Sequence, residues 1–286
     1  MVLENSVISS TPPHEWHLYP LTDLSYRCFH ENKKRDETIE NMNGTERVEM
    51  QEDNTPLIKL SNVWKTYQMG EIEFDALKNV DLDIYSGEFV VILGPSGSGK
   101  STMMNLIGCL DVPSKGIIRL DNQDISTLKE SNLAQIRGQS IGFIFQQFNL
   151  IPTLNSLENV MLPLEFQEVD PDIAKKRGKE LLEIVGLGDK LTNLPSQLSG
   201  GQRQRVAIAR SLAIDPPIIL ADEPTGNLDS KTGTYILEFL NEMHQKENKT
   251  IIIVTHDTEP VQYADKIVYI RDGQIEKIEY KNKMEN

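Results

Sequence analysis

Apolar and polar positions along the chain change rhythm several times, and the changes predict its elements. "LIKLSNVWKTY" (57–67) and "VDLDIY" (80–85) alternate apolar with polar residues, the mark of strands with one covered face. "FVVIL" (89–93), "IGFIF" (141–145), "PIILAD" (217–222) and "TIIIVTH" (250–256) are nearly continuous apolar runs. Such runs fit strands of a parallel sheet covered on both faces. Between them the period turns helical. "KSTMMNLIGCL" follows a glycine-rich stretch, Asn155 with Glu158 reads as a capping pair, and "PDIAKKRGKELLEIVG" has Pro171 near its start and Gly186 at its end. "LSGGQRQRVAIAR" (198–210) starts a helix whose Val206, Ala209 and Ala213 form an inner stripe. The sum is an α/β domain over 55–275, with a parallel sheet and a mainly helical insert at about 147–213. Residues 276–286 read as a flexible tail.

Residues 1–54 show neither period. They read as a disordered leader or as an upstream read-through, with Met50 or Met42 as the start. His14, His17, Cys28 and His30 have the ligand types for zinc but match no metal-binding spacing. No apolar run approaches the roughly 20 residues needed to cross a bilayer as a helix. No basic-then-apolar start marks a signal peptide, so a cytoplasmic site is expected. A net charge of −14 opposes general binding to nucleic acid or to an anionic membrane surface. Two cysteines cannot build a disulfide framework, and Cys109 in "NLIGCL" reads as a small buried hydrophobe.

The chemistry concentrates in a few stretches. "GPSGSGKS" (94–101) fits the phosphate-loop pattern and has the strand before and the helix after that the pattern requires. Gly94, Pro95, Ser96, Gly97, Ser98 and Gly99 form a loop whose amides can curl around phosphate oxygens. Lys100 supplies a point charge, Ser101 a hydroxyl for Mg²⁺, and Thr102 a further hydroxyl. "IILADEP" ends an apolar strand in two carboxylates. Asp222 is the candidate Mg²⁺ partner, and Glu223, pointing the other way by strand alternation, the candidate general base. His256 ends a strand where ligands bind in parallel sheets, which makes it a candidate γ-phosphate contact. Gln146 holds the same position after "IGFIF", a neutral amide for Mg²⁺ or for the attacking water, with Gln147 beside it. A second anion-seeking helix start lies at Ser199, Gly200, Gly201 and Gln202. Arg203 and Arg205 behind it read either as a solvated face or as ties to the core.

Together these stretches resemble the ATPases of ABC transporters: the phosphate loop, a glutamine loop at Gln146, "LSGGQ" at 198–202, "LADEP" at 220–224, "NLD" at 227–229 and "THD" at 255–257. The likeness covers about 57–275. "GPSGSGKSTMMNLIGCLD", "IGFIFQQFNLIPTL", "LENVMLPL" and "LADEPTGNLDS" resemble the MacB/LolD branch of macrolide exporters and lipoprotein-release systems, with FtsE-type cell-division proteins close by. The resemblance implies the family's ABC fold, with an antiparallel β subdomain and a helical subdomain. It implies ATP with Mg²⁺, with Tyr67 stacked on adenine. It implies two copies head to tail, "LSGGQ" of one closing on the γ-phosphate held by the other, and Asp229 touching the partner copy. It also implies a separately encoded transmembrane permease on the inner face of the cell membrane. The apolar "QQFNLIPTL", with Phe148, Leu150, Ile151 and Leu154, is either core of the insert or the surface that receives the permease. An FtsE-like mechanical switch without transport is the alternative function. A kinase or GTPase has no need of "LSGGQ".

Overall fold

The computed structural model describes residues 55–281; the expected leader, its candidate starts and its four histidine and cysteine residues lie outside them. Two sheets share one core. The first is antiparallel, built from β1 (Ile58–Met69), β2 (Ile72–Ile84), β4 (Lys115–Leu120) and β5 (Gln123–Asp124) in the order β2-β1-β4-β5. The second is six-stranded, from β3 (Phe89–Leu93), β6 (Ile141–Ile144), β7 (Ile218–Asp222), β8 (Thr250–Thr255), β9 (Lys266–Arg271) and β10 (Gln274–Tyr280) in the order β10-β9-β3-β8-β7-β6. Every pair from β9 to β6 is parallel, and only the edge strand β10 is antiparallel. All six residues of β8 are buried, as are the first four of β3 and of β7. This is the covered state that their unbroken apolar runs require.

Helix α1 (Lys100–Ile107) follows β3 and packs Met103, Met104, Leu106 and Ile107 into the core that joins the two sheets. Cys109 lies fully buried just beyond it, its thiol pushed up to about 11 by burial. Helix α2 (Glu130–Ser140) precedes β6. Helices α3 (Ser156–Glu165), α4 (Pro171–Ile184) and α5 (Gly200–Ser211) fall within 147–213, and α6 (Ser230–Glu247) connects β7 to β8. The capping box between Asn155 and Glu158 forms as the spacing predicts. Of the expected inner stripe, Val206 and Ala209 are buried on α5, while Ala213, also buried, lies past the helix end at Ser211.

Two expectations change. Residues 276–280, read as tail, belong to β10. The β9–β10 register slips between Ile275 and Lys277, which sets the apolar Ile275 and Ile278 three apart and hides the strand alternation; residues 282–286 lie outside the described set. The apolar patch after Gln146 is smaller than its sequence suggests, since Phe148, Leu150 and Leu154 are half-buried and Ile151 alone is exposed.

Candidate nucleotide site

Strand order determines which residues meet. Across β3, β8, β7 and β6, neighbouring strands lie about 4.8 Å apart, and each carries candidates at or just past its carboxyl end. Read across the sheet, they are the phosphate loop, His256, the Asp222–Glu223 pair and Gln146. Sequence order does not give that arrangement; the crossovers do. His256 Nδ1 lies 2.7 Å from Glu223 Oε1, with the Nδ1–H donating to the carboxylate. Gln146 Nε2 donates to Glu223 Oε2 at 2.9 Å. Glu223 is thus held from both sides by the strands flanking its own. A cavity of about 250 Å³ opens at His256, lined also by Gly94, Pro95, Tyr269 and Arg271 among others.

The reason offered for the aim of Glu223 does not hold. Strand β7 stops at Asp222, and Glu223 sits at φ 44°, in the left-handed region. A turn, not strand alternation, directs its carboxylate. The backbone there stays pinned, Glu223 N donating to Val254 O at 2.8 Å. Non-glycine residues in this conformation cluster at functional sites, where the surroundings over-determine them.

The phosphate loop is an exposed arch, Pro95 to Gly97, above a buried base of Ser98 and Lys100. Gly99 is the N-cap of α1 at φ 102°, and a Cβ there would stand 2.5 Å from Ala76 O. Only glycine fits, and glycine brings no side chain to cap the helix. The first amides of α1 are therefore left to a ligand. Ser98 Oγ is buried without a hydrogen-bond partner among the described residues. Lys100 Nζ donates to Gly94 O and Pro95 O at 2.8 and 2.9 Å. Burial pushes the Lys100 ammonium below its usual range, against the opposing pull of Glu223 and Asp222. Burial, and then the charge of Glu223, push the Asp222 carboxyl above the usual carboxylate range, with Lys100 opposing. A cation beside Asp222 relieves both causes. Ser101 is exposed and Thr102 half-buried at the start of α1.

Tyr67 stands on β1 with its hydroxyl donating to Asp111 Oδ2 at 3.2 Å, and Lys65 Nζ lies 5.0 Å from its ring centroid. Burial raises the Tyr67 hydroxyl's pKa, while a hydrogen bond with Thr102 lowers it. Sequence reasoning missed Asp111, which accepts from Lys65 Nζ at 2.6 Å and so braces the tyrosine. "CLD" after a helix carries no signal for that role.

Ser199, Gly200, Gly201 and Gln202 go elsewhere. Ser199 caps α5, and a reciprocal box forms, with Ser199 N donating to Gln202 Oε1 at 2.9 Å and Gln202 N to Ser199 Oγ at 3.3 Å. None of their hydrogen bonds among the described residues reaches residues 94–102. Arg203 donates to Leu198 O at 3.1 Å and Arg205 to Val185 O at 2.9 Å, so both tie the helix to the body. Asp229 caps α6, accepting from Thr232 N at 3.0 Å.

A strand–glycine loop–helix unit, facing two carboxylates at the end of the parallel strand β7, defines a phosphate-loop nucleotide-binding protein. The family profile described as ABC transporter matches residues 77–226, and the chain belongs to that family. An ABC transporter ATP-binding protein of Thermotoga maritima is 52% identical over 223 residues, 78% of this chain and 95% of the relative. The ATP-binding protein MJ0796 of Methanocaldococcus jannaschii is 53% identical over 227 residues, 78% of this chain and 97% of the relative. The solved dimeric cassette MJ0796, in a post-hydrolysis state with ADP and Pi, superposes with a TM-score of 0.74 at 51% identity, covering 78% of this chain and 98% of its own. The macrolide export ATP-binding/permease protein MacB of Brucella melitensis is 49% identical over 220 residues, 77% of this chain and 34% of the relative. The MacB/LolD reading of the branch accords with that likeness.

Proposed function

We propose that the protein hydrolyses ATP as a head-to-tail pair of copies sharing two nucleotides, and that the pair drives a separately encoded permease on the inner face of the cell membrane. The observation that carries this reading is the separation of two anion-seeking helix starts within one chain. The phosphate loop lies against Glu223 and Asp222, while "LSGGQ" is hydrogen-bonded within itself and makes no bond to that loop. The dimeric form of the MJ0796 cassette supports pairing. The MacB relatives join ATP-binding and permease parts, which supports a permease as partner. Among the described residues, no helix is long and apolar enough to cross a membrane.

Residues 94–102 bind the phosphates, Lys100 neutralises the outer ones, and Tyr67 stacks on the base. Glu223, aligned by Gln146 and His256, takes a proton from the attacking water. His256 and the partner copy's Ser199, Gly200, Gly201 and Gln202 face the γ-phosphate. Ser101, Gln146 and Asp222 would hold Mg²⁺, which when bound neutralises charge on the phosphates. The described residues include no group of three acidic, histidine or cysteine side chains able to hold a metal unaided. That fits an ion that arrives with the nucleotide.

Glu223→Gln tests the reading. It keeps both hydrogen-bonding partners in reach but cannot accept the proton, so turnover should fall by about 10² to 10⁴, the usual worth of a general base. Mg²⁺-ATP should convert that variant from monomer to dimer in sedimentation, and ADP should not. Near-normal turnover removes Glu223 from the role, and a monomer in saturating ATP overturns the shared-nucleotide reading.

A further inference from the structure

The segment after Gln146 is held in an uncommon conformation. Phe148 and Asn149 sit consecutively at φ 59° and 49°, a region that a bulky side chain rarely enters. Such backbone persists where its surroundings over-determine it; here Phe148 N donates to Phe145 O at 3.1 Å and Asn149 N to Gln147 O at 2.6 Å, and one side chain holds both carbonyls. From the last turn of α5, Arg210 donates Nη2 to Phe148 O at 2.9 Å and Nη1 to Asn149 O at 2.6 Å. The planar fork of a guanidinium suits two carbonyls fixed side by side. Earlier on the same helix, the Arg203 guanidinium lies 5.4 Å from the centre of the Phe148 ring while bonding Leu198 O, the residue before the cap. The other end of the segment is equally tied. Asn227 Nδ2 donates to Gln146 O at 2.9 Å, and Gln146 Nε2 bonds Glu223.

Helix α5 thus runs as one rod of about 18 Å from Ser199, the anion-seeking end, to Arg210, which grips the loop that aligns Glu223. Gln204 seats the middle of the rod, donating to Pro224 O at 2.9 Å just past Glu223.

We propose that Arg210 is a positioning residue that joins the two ATP sites of the pair. It holds loop 146–149 to α5, so that a movement of α5 on capture of the partner copy's phosphate at Ser199 is passed to Gln146 and to its bond with this chain's own Glu223. The proposal rests on the shared-nucleotide reading above. A shift of a rigid helix at its amino end moves Arg210 with it, and the loop follows because both its carbonyls are held. Each copy's hydrolysis then depends on the anion site it lends.

The test uses the full chain with Arg210→Met, which keeps the apolar stem, and Arg210→Lys, which keeps the charge but offers no fork. Nucleotide affinity of the monomer, kcat and the Hill coefficient for ATP are measured for each. Arg210 is remote from the phosphate loop, so Arg210→Met should bind ATP within about twofold of the parent, the margin typical of a substitution that makes no ligand contact. Its kcat should fall about tenfold, the scale of hydrogen bonds lost from a charged donor, and its Hill coefficient should drop from above 1 toward 1. Arg210→Lys should recover part of both. Parental kcat and cooperativity in Arg210→Met overturn the proposal. So does an equal loss in both variants that tracks a lowered melting temperature, because that is the signature of a purely structural contact. Should Arg210→Met fail to fold, Arg210→Lys alone decides, a Hill coefficient equal to the parent's counting against coupling. Glu223→Gln with Arg210 intact separates the two levels. If it stays monomeric in ATP, the pairing and the coupling fall together; if it dimerises while Arg210→Met behaves as the parent, the coupling falls alone.

Discussion

Helices α1 and α5 both begin in glycine-rich sequence and both offer anion-seeking amides, yet they are finished in opposite ways. At α1 the N-cap is Gly99 at φ 102° with no side-chain hydrogen bond, and a buried lysine follows at once. At α5 the N-cap is Ser199 with a complete reciprocal box, and a Cβ on Gly200 would find nothing nearer than Asn227 O at 3.9 Å. The first start is unfinished without a ligand and is walled by its own chain. The second is self-sufficient and open on one side. On the proposed reading a phosphate binds the first as a cradle, while the second supplies one wall of a site completed by another molecule. The roles so proposed, affinity for one helix start and assembly for the other, can be separated by substitutions.

The largest break in the comparison is Lys100→Ala. It removes the one cation of the cradle, and charge-assisted hydrogen bonds of this kind are worth about 1.5 to 3 kcal/mol. ATP affinity of the monomer should fall about 10- to 100-fold, and dimerisation and turnover should fall with it. Titration of the monomer with ATP, followed by sedimentation at saturating nucleotide, measures both. Dimerisation restored at saturating ATP is compatible with the contrast; unchanged affinity is not.

Gly200→Asp should do the reverse. Its Cβ has room in the monomer, and a carboxylate in the first turn of a helix is stabilising by about 0.3 to 1 kcal/mol. Folding and ATP binding at Lys100 should therefore stand. The new charge faces the incoming γ-phosphate, so ATP-driven dimerisation and hydrolysis should drop at least about tenfold, the cost of one like-charge contact in a partly dry interface. A Gly200→Asp protein that dimerises and turns over normally would mean that "LSGGQ" meets no phosphate.

How much of this was legible in the sequence depends on how each feature is encoded. Strands β3, β7 and β8 read out directly because burial on both faces forces unbroken apolar runs. Helix α2 did not, since Leu133 is its one buried residue and its polar texture has no stripe to detect. The first part of β2 was missed as well, its opening residues Ile72 and Phe74 being exposed and its pairing with β1 irregular. Among the candidate site residues, Lys100, Gln146, Asp222, Glu223 and His256 stood out from motif chemistry. Their adjacency did not, because it follows from the order β3-β8-β7-β6, which crossovers set and local pattern does not record. The left-handed turn at Glu223 and the grip of Arg210 on Phe148 and Asn149 lie beyond any periodicity argument.

The smallest effect belongs to Ser199→Ala, and it sharpens the comparison because α1 has no counterpart to lose. Removing an N-cap hydroxyl costs about 0.5 to 2 kcal/mol in general. Here the bond to Gln202 N is long, 3.3 Å, while the Gln202 half of the box survives the substitution. The loss should therefore lie near the low end, lowering the melting temperature by about 1 to 3 °C for a domain of this size. That drop should be the same without nucleotide and with ADP, since neither brings a γ-phosphate to α5. With Mg²⁺-ATP and the Glu223→Gln background, a second loss should add to the first, because the hydroxyl is then taken from the partner copy's nucleotide as well. Dimerisation should weaken about fivefold, the worth of one neutral hydrogen bond of about 1 kcal/mol. Thermal scans under the three nucleotide conditions resolve the two contributions. An identical drop in all three leaves Ser199 as a helix cap and nothing more, and places the γ-phosphate contact on the glycine amides alone.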